Sequence, residues 1–175
     1  MKIFFKKILL VSTILLTFQA FAQATVSDGD ILKSIKSQIS NNPVTSSAHV
    51  TVDSQAGNVI LTGIVTTDHE ADALVEMAQS TPGVIDVNTD NLKVKESKQP
   101  FADTVVTAKI KGLFLREKLF SDKDIASTTV KVETKNGVVY LTGSANSAQA
   151  VENAVQISRS VKGVTKVVSH IKTTD

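Results

Sequence analysis

The sequence predicts an α+β fold made of two tandem domains, each running α-β-β-α-β, with a three-stranded mixed sheet and two helices on one face. Three observations carry this. Residues 50–90 recur without a gap at 130–170: Val50-Thr-Val52 returns as Val130-Lys-Val132, Val59-Ile-Leu-Thr-Gly63 as Val139-Tyr-Leu-Thr-Gly143, and Gly83-Val84 as Gly163-Val164. Within each copy, β-branched runs with a period of two flank a turn ending in glycine. Helical apolar spacing precedes and follows those runs.

Copy one opens with a helix from Asp30 to about Ser40, where Ile31, Leu32, Ile35 and Ile39 share one arc of about 100° and the remainder is polar. Strands follow near 48–53 and 58–65, joined by Ala56-Gly57. A second helix runs from about Asp68 to Ser80, with Ala71, Leu74, Val75 and Ala78 facing inward, and Pro82-Gly83 ends it through a left-handed glycine. A strand near 84–94 closes the copy. Copy two repeats the order: a helix over about Asp103 to Leu119, strands near 128–134 and 138–145, a helix over about Ser147 to Ser160, and a strand near 164–172. Its hairpin carries Asn136-Gly137, the pair best suited to a type I′ turn because both residues tolerate positive φ. Gly63 and Gly143, at strand ends, predict a bulge or a close backbone approach. Each copy is short enough that docking of the two is expected.

The first residues form a separate unit. Lys2, Lys6 and Lys7 precede an apolar run from Ile8 to Phe18, and small residues follow at Ala20, Ala22 and Ala24. This is the three-part pattern of a secretory signal peptide over 1–24, with cleavage after Ala22 or Ala24. The run is shorter than the roughly 20 residues a spanning helix needs. The chain has no cysteine, which excludes disulfides, thiol nucleophiles, zinc–thiolate sites and a lipid-bearing cysteine, so no stable membrane anchor is expected. Loss of the three leader lysines takes the formal charge from +2 to −1. Residues 23–98 hold 5 Lys and 10 Asp/Glu, a balance of −5, whereas 99–175 hold 11 Lys/Arg and 7 Asp/Glu, a balance of +4. Halves so charged are expected to prefer different partners.

The residues Val50-Thr-Val52, Gly57, Leu61-Thr-Gly63 and Pro82-Gly83-Val84 resemble the BON domain. So do Thr107-Ala-Lys-Ile110, Val130-Lys-Val132, Asn136 to Gly143 and Lys162-Gly-Val164 in the second copy. The tandem pair behind a signal peptide is similar to the osmotically inducible periplasmic Y family. That resemblance places BON-type domains at 27–95 and 102–174, with Glu96-Ser-Lys-Gln-Pro100 opening a linker over 96–101. It implies a periplasmic, non-enzymatic protein of osmotic and envelope stress. Phospholipid binding and a chaperone role toward exported outer-membrane proteins are the activities it implies. It also implies that the first helix of the second domain meets anionic lipid, as in a related tandem lipoprotein.

Residue chemistry points the same way. His49, His69 and His170 are far apart, and His69-Glu70 is followed by Ala73 where a metalloprotease helix needs its second histidine. Asp122 and Asp124 lack the glycine and terminal glutamate of a calcium loop. There is no G-x-S-x-G, P-loop or G-x-G-x-x-G, so neither catalysis, metal nor cofactor is expected. A near-neutral mature charge and 5% aromatics argue against nucleic acid.

The candidate site is the stretch Ala108 to Phe120. Val106, Ile110, Leu113, Phe114 and Phe120 make the core arc, matching copy one, but Val105, Ala108, Leu115 and Leu119 form a second apolar arc on the opposite side. Three dispositions fit that arc: packing on copy one or another subunit, shallow insertion among lipid headgroups, or a helix that ends near Arg116 and folds Leu119 and Phe120 back as a loop. Glu117 favours the last, since a continuous helix sets it inside the core arc. The expected partner is an anionic phospholipid surface. Lys109, Lys111, Arg116, Lys118 and Lys123 would supply charge there, and Phe114, Leu115, Leu119 and Phe120 apolar contact. The alternative partner is an unfolded outer-membrane protein held by the same arc.

Overall fold

The computed structural model describes residues 26–120 and 129–174, so the leader, Lys123 and the Asp122/Asp124 pair lie outside the described residues. Two copies of one α-β-β-α-β unit follow each other. The first is α1 (Asp28–Asn41), β1 (His49–Gln55), β2 (Asn58–Thr67), α2 (Asp68–Ser80) and β3 (Asp86–Glu96). The second is α3 (Phe101–Phe120), β4 (Thr129–Lys135), β5 (Val138–Ala145), α4 (Ala148–Ser160) and β6 (Lys166–Thr173). Each sheet has its middle strand paired antiparallel to the strand before it and parallel to the strand after the helix, in the orders β1-β2-β3 and β4-β5-β6. The sheets are therefore mixed, as the repeat predicts.

Alternation decides which face is buried. Val59, Leu61 and Val65 of β2 enter the first core with Ile31 and Ile35 of α1 and with Ala71, Leu74, Val75 and Ala78 of α2. Ile60 and Ile64, on the other face, are left half-buried and exposed. In copy two, Val139 and Leu141 meet Val106 and Ile110 of α3 and Ala154 and Val155 of α4. Local chemistry sets the helix starts. Ser27, Thr67 and Ser147 occupy extended N-cap positions and accept from the amides of Asp30, Glu70 and Ala150. Glu70 returns the bond to Thr66 N–H at 2.7 Å, in the manner of a capping box displaced by one residue.

The hairpins are type I′-like, with positive φ at Ala56 and Gly57 (49° and 77°) and at Asn136 and Gly137 (51° and 74°). Gly63 and Gly143 sit where a side chain would run into the carbonyl oxygens of His49 and Thr129, the close approach their position predicts.

An aspartate ties helix to hairpin in each copy, a device that neither periodicity nor turn chemistry predicts. Asp28 accepts from the backbone amides of Ala56 (2.8 Å) and Gly57 (3.0 Å) and from the Ser54 hydroxyl. Asp103 does the same in copy two, accepting from Asn136 N (2.7 Å) and Gly137 N (2.9 Å). An aspartate in the first helical turn thus closes the two orphan donors of each turn.

Two outcomes are expected. Asp103 is buried, so Asp103→Ala leaves two amides unpaired and should destabilise the chain by about 1–3 kcal/mol, read from urea unfolding. Hydrogen bonds from Ser54, then from the amides of Gly57 and Ala56, hold the Asp28 carboxyl below its ordinary pKa. A lowered folded pKa gives stability that is full above the unfolded value of about 3.9 and lost as pH falls through the folded one. The stability gap between the wild type and Asp28→Asn should therefore close in acid.

Candidate functional site

The first part of the second apolar arc of α3 has a partner, and that partner is copy one. Ala108 is fully buried in the first domain's core, and Phe101 packs against the same core. On its other side α3 gives Val106 and Ile110 to the second core, with Leu113 and Phe114 half-buried against it. One helix therefore serves two cores, which is why it carries two apolar faces.

The contact with α2 is close because of a single glycine. A Cβ on Gly112 would stand 2.7 Å from the Glu76 carbonyl oxygen and 2.8 Å from Gln79 Cβ. Ala108 and Gly112 lie one turn apart and let the two backbones approach. Around this small pair the polar contacts close. Lys111 Nζ bonds Asp72 at 2.6 Å and Glu76 at 2.9 Å, and Lys109 Nζ meets Asp86 at 2.6 Å. Arg116 Nη1 donates to the carbonyl oxygens of Val84 (2.6 Å) and Gln79 (3.5 Å). Burial works against the charge on Lys111, but the hydrogen bonds and charges of Asp72 and Glu76 outweigh it and hold its pKa above the usual lysine value. A raised pKa means this contribution is full below the ordinary lysine range and is lost only as pH rises through the folded value.

The helices run in the same direction, since α3 residues 111, 112 and 116 meet α2 and its exit at successively later positions. The linker enforces this: Asp68, at the start of α2, accepts from Ser97 Oγ and Lys98 N, both at 2.7 Å, just before α3 begins. At 1.5 Å per residue, the 20 residues of α3 outrun the 13 of α2 by roughly 10 Å. The overhang carries the end of the arc, and there Leu115 and Leu119 are 37% and 59% exposed.

The predicted site residues thus separate. Lys109, Lys111 and Arg116 face domain 1, and Phe114 faces the core of domain 2. Leu115, Lys118 and Leu119 are brought together at the exposed end. Of the side chain of Phe120 nothing is described, and Lys123 lies outside the described residues. The helix expected over about Asp103 to Leu119 runs from Phe101 through Phe120, so of the three dispositions the one ending near Arg116 does not occur; Glu117 is half-buried instead of enclosed, and the continuous helix does not shut its charge into the core. The opposite charges of the two halves, read as a preference for different partners, in part meet each other across α2 and α3. Among the described residues, no helix is long and apolar enough to cross a membrane, and no group of His, Asp or Glu is placed to hold a metal ion.

Fold and site together define a tandem-repeat α+β protein whose candidate site is a helix surface. The BON domain model matches residues 27–96 and 102–175. Osmotically-inducible protein Y of Escherichia coli is 31% identical over 153 residues, covering 85% of this chain and 73% of that protein. Outer membrane lipoprotein DolP of Haemophilus influenzae is 32% identical over 121 residues, 68% of this chain and 60% of the relative. Among solved structures, the C-terminal domain of CdsD, a structural protein of the Chlamydia trachomatis type III secretion system, is 18% identical with a TM-score of 0.34, over 86% of this chain and 68% of that one. The chain belongs to the BON-domain family, with two copies of the domain.

The role of Gly112 can be tested directly. Gly112→Val should cost about 1–3 kcal/mol through overpacking at the α2–α3 contact. Far-UV circular dichroism should be retained while small-angle scattering gives a larger radius of gyration, as the domains separate.

Proposed function

We propose that this chain is an exported, non-enzymatic protein of the periplasm that acts in osmotic and envelope stress. In this reading it binds anionic phospholipid surfaces peripherally through the overhanging end of α3. The observation that carries the reading is the joint exposure of Leu115 and Leu119 beside Lys118, on a helix whose Phe101, Val106, Ala108, Ile110, Leu113 and Phe114 face two cores. A leucine inserted at the headgroup boundary contributes a fraction of the roughly 1.5–3 kcal/mol of full burial. One lysine near an anionic surface adds about 1 kcal/mol. Together these give reversible association. The relatives support the setting: one is named for osmotic induction and the other as an outer membrane lipoprotein.

A second reading, a holdase-type chaperone for unfolded outer-membrane precursors, is favoured by one observation. Lys109, Lys111 and Arg116 are engaged by domain 1, so the overhang is more apolar and less cationic than the sequence alone implies.

Flotation with anionic and neutral vesicles separates the two. The lipid reading predicts binding to anionic vesicles, lowered about fivefold or more by Leu119→Asp and by Lys118→Glu. Equal binding to both vesicle types, or to neither, removes it. Suppression of aggregation of an unfolded β-barrel protein without lipid, lost in Leu115→Asp, supports the chaperone instead.

A further inference from the structure

We propose a second binding surface, independent of the α3 overhang: the open edge of β4 takes up an extended peptide of alternating apolar and polar residues as a fourth strand of the domain 2 sheet. β4 ends the order β4-β5-β6, and among the described residues its backbone hydrogen bonds are those of the ladder with β5. An edge of this kind presents unpaired amides and carbonyls, which is the template that strand addition uses.

What distinguishes this edge is the space beside it. A cleft of about 540 Å³ is lined by five consecutive residues of β4, Val130 to Thr134. Neighbouring side chains of a strand point to opposite faces, so five in a row can be met together only along the edge. Across the cleft stand Asp68, His69 and Asp72 of α2, with Thr104 and Thr107 of α3 between. The cleft therefore exists because domain 1 is docked. Its volume lies in the range that holds one small ligand or short peptide, not a second folded domain.

The chemistry of the walls selects the occupant. Asp72 is bonded to Lys111, Asp68 accepts from the linker, and Glu133 is paired with Lys135 at 2.8 Å. These carboxylates are committed within the protein, and Lys111, Lys131 and His69 complete the lining, so both signs of charge are present and the cleft favours neither a polyanion nor a polycation. Val130 and Val132 are half-buried on the core side of β4, whereas Lys131 and Glu133 are exposed on the other. An added strand would copy that alternation, apolar residues inward and polar ones outward, over about five residues or roughly 17 Å. The occupant that fits is an uncharged, alternating segment, the pattern of a β-barrel strand before it folds.

The test uses the full chain and a labelled peptide of alternating Val and Thr residues flanked by glycines, with a control of the same composition in which the valines are grouped. Saturable binding of the alternating peptide, with slowed hydrogen exchange confined to amides of residues 130–134, is expected. Lys131→Pro and Val132→Pro complete it: only alternate residues turn their N–H outward, so one of the two keeps the β5 ladder, folds, and should bind at least tenfold more weakly. No binding, equal binding of the grouped control, or protection at the end of α3 with none at β4 overturns the proposal. Vesicle flotation is unaffected by either outcome, so failure here and failure of the lipid reading remain distinguishable.

Discussion

The absence of a side chain at Gly112 is the constraint on which the arrangement of the two domains depends. It lets the α3 backbone lie against the Glu76 carbonyl and Gln79. From that approach the other contacts follow. Ala108 reaches the first core, Lys111 falls between Asp72 and Glu76, and Arg116 arrives at the carbonyl oxygen of Val84. None of these groups could be satisfied with the helices a few ångströms further apart, because each bond is at or below 2.9 Å. The ionic contacts are partly exposed and add modestly, so the apolar and steric fit of Ala108 and Gly112 sets the position. The pinned linker then fixes direction, and direction leaves Leu115 and Leu119 exposed at the end of α3.

Much of the fold was legible because the repeat states it twice. The α2 limits coincide with the predicted Asp68 and Ser80, and the second hairpin has the positive φ that Asn136-Gly137 calls for, which Ala56-Gly57 shares in the first. Both ends of β5 coincide with the predicted 138–145, and the other strand ends differ by at most two residues, where pairing, not pattern, decides the limit. The site was legible as a composition but not as a geometry. A helical wheel finds Val105, Ala108, Leu115 and Leu119 on one side, yet it cannot say how far the neighbouring helix extends along that side. The lysines illustrate the same gap. Charge asymmetry between halves is visible in a sequence, but whether Lys109 and Lys111 meet Asp86 and Asp72 or an external phosphate depends on contacts 23 and 39 residues away. The Asp28 and Asp103 clamps were open to detection: an aspartate opens the first helix of each copy ahead of the x-Gly turn, 29 and 34 residues before the glycine it holds.

Docking also explains why two surfaces of different character coexist on so small a protein. The side of α3 toward the linker is closed over by α2 and leaves a cleft of mixed charge along β4. The far end of the same helix projects past α2 and leaves two leucines and a lysine in solvent. Both are products of one crossing between helices of unequal length.

The two copies are alike in fold and unlike in what they offer a neighbour. The contact joins the outer face of α2 to α3, two different surfaces, so a chain of such contacts could in principle continue without end. The outer face of α4 carries Glu152, Gln156, Arg159 and Ser160 where α2 has Asp72, Glu76, Gln79 and Ser80, so a guanidinium replaces an amide beside the crossing point. By the offset that aligns Asp28 with Asp103, α1 carries Lys33 and Ser37 where α3 has Ala108 and Gly112. Neither α1 nor α4 carries the small residues of that crossing. Among the described residues the crossing therefore occurs once, and α1 and α4 present exposed polar residues at the corresponding positions.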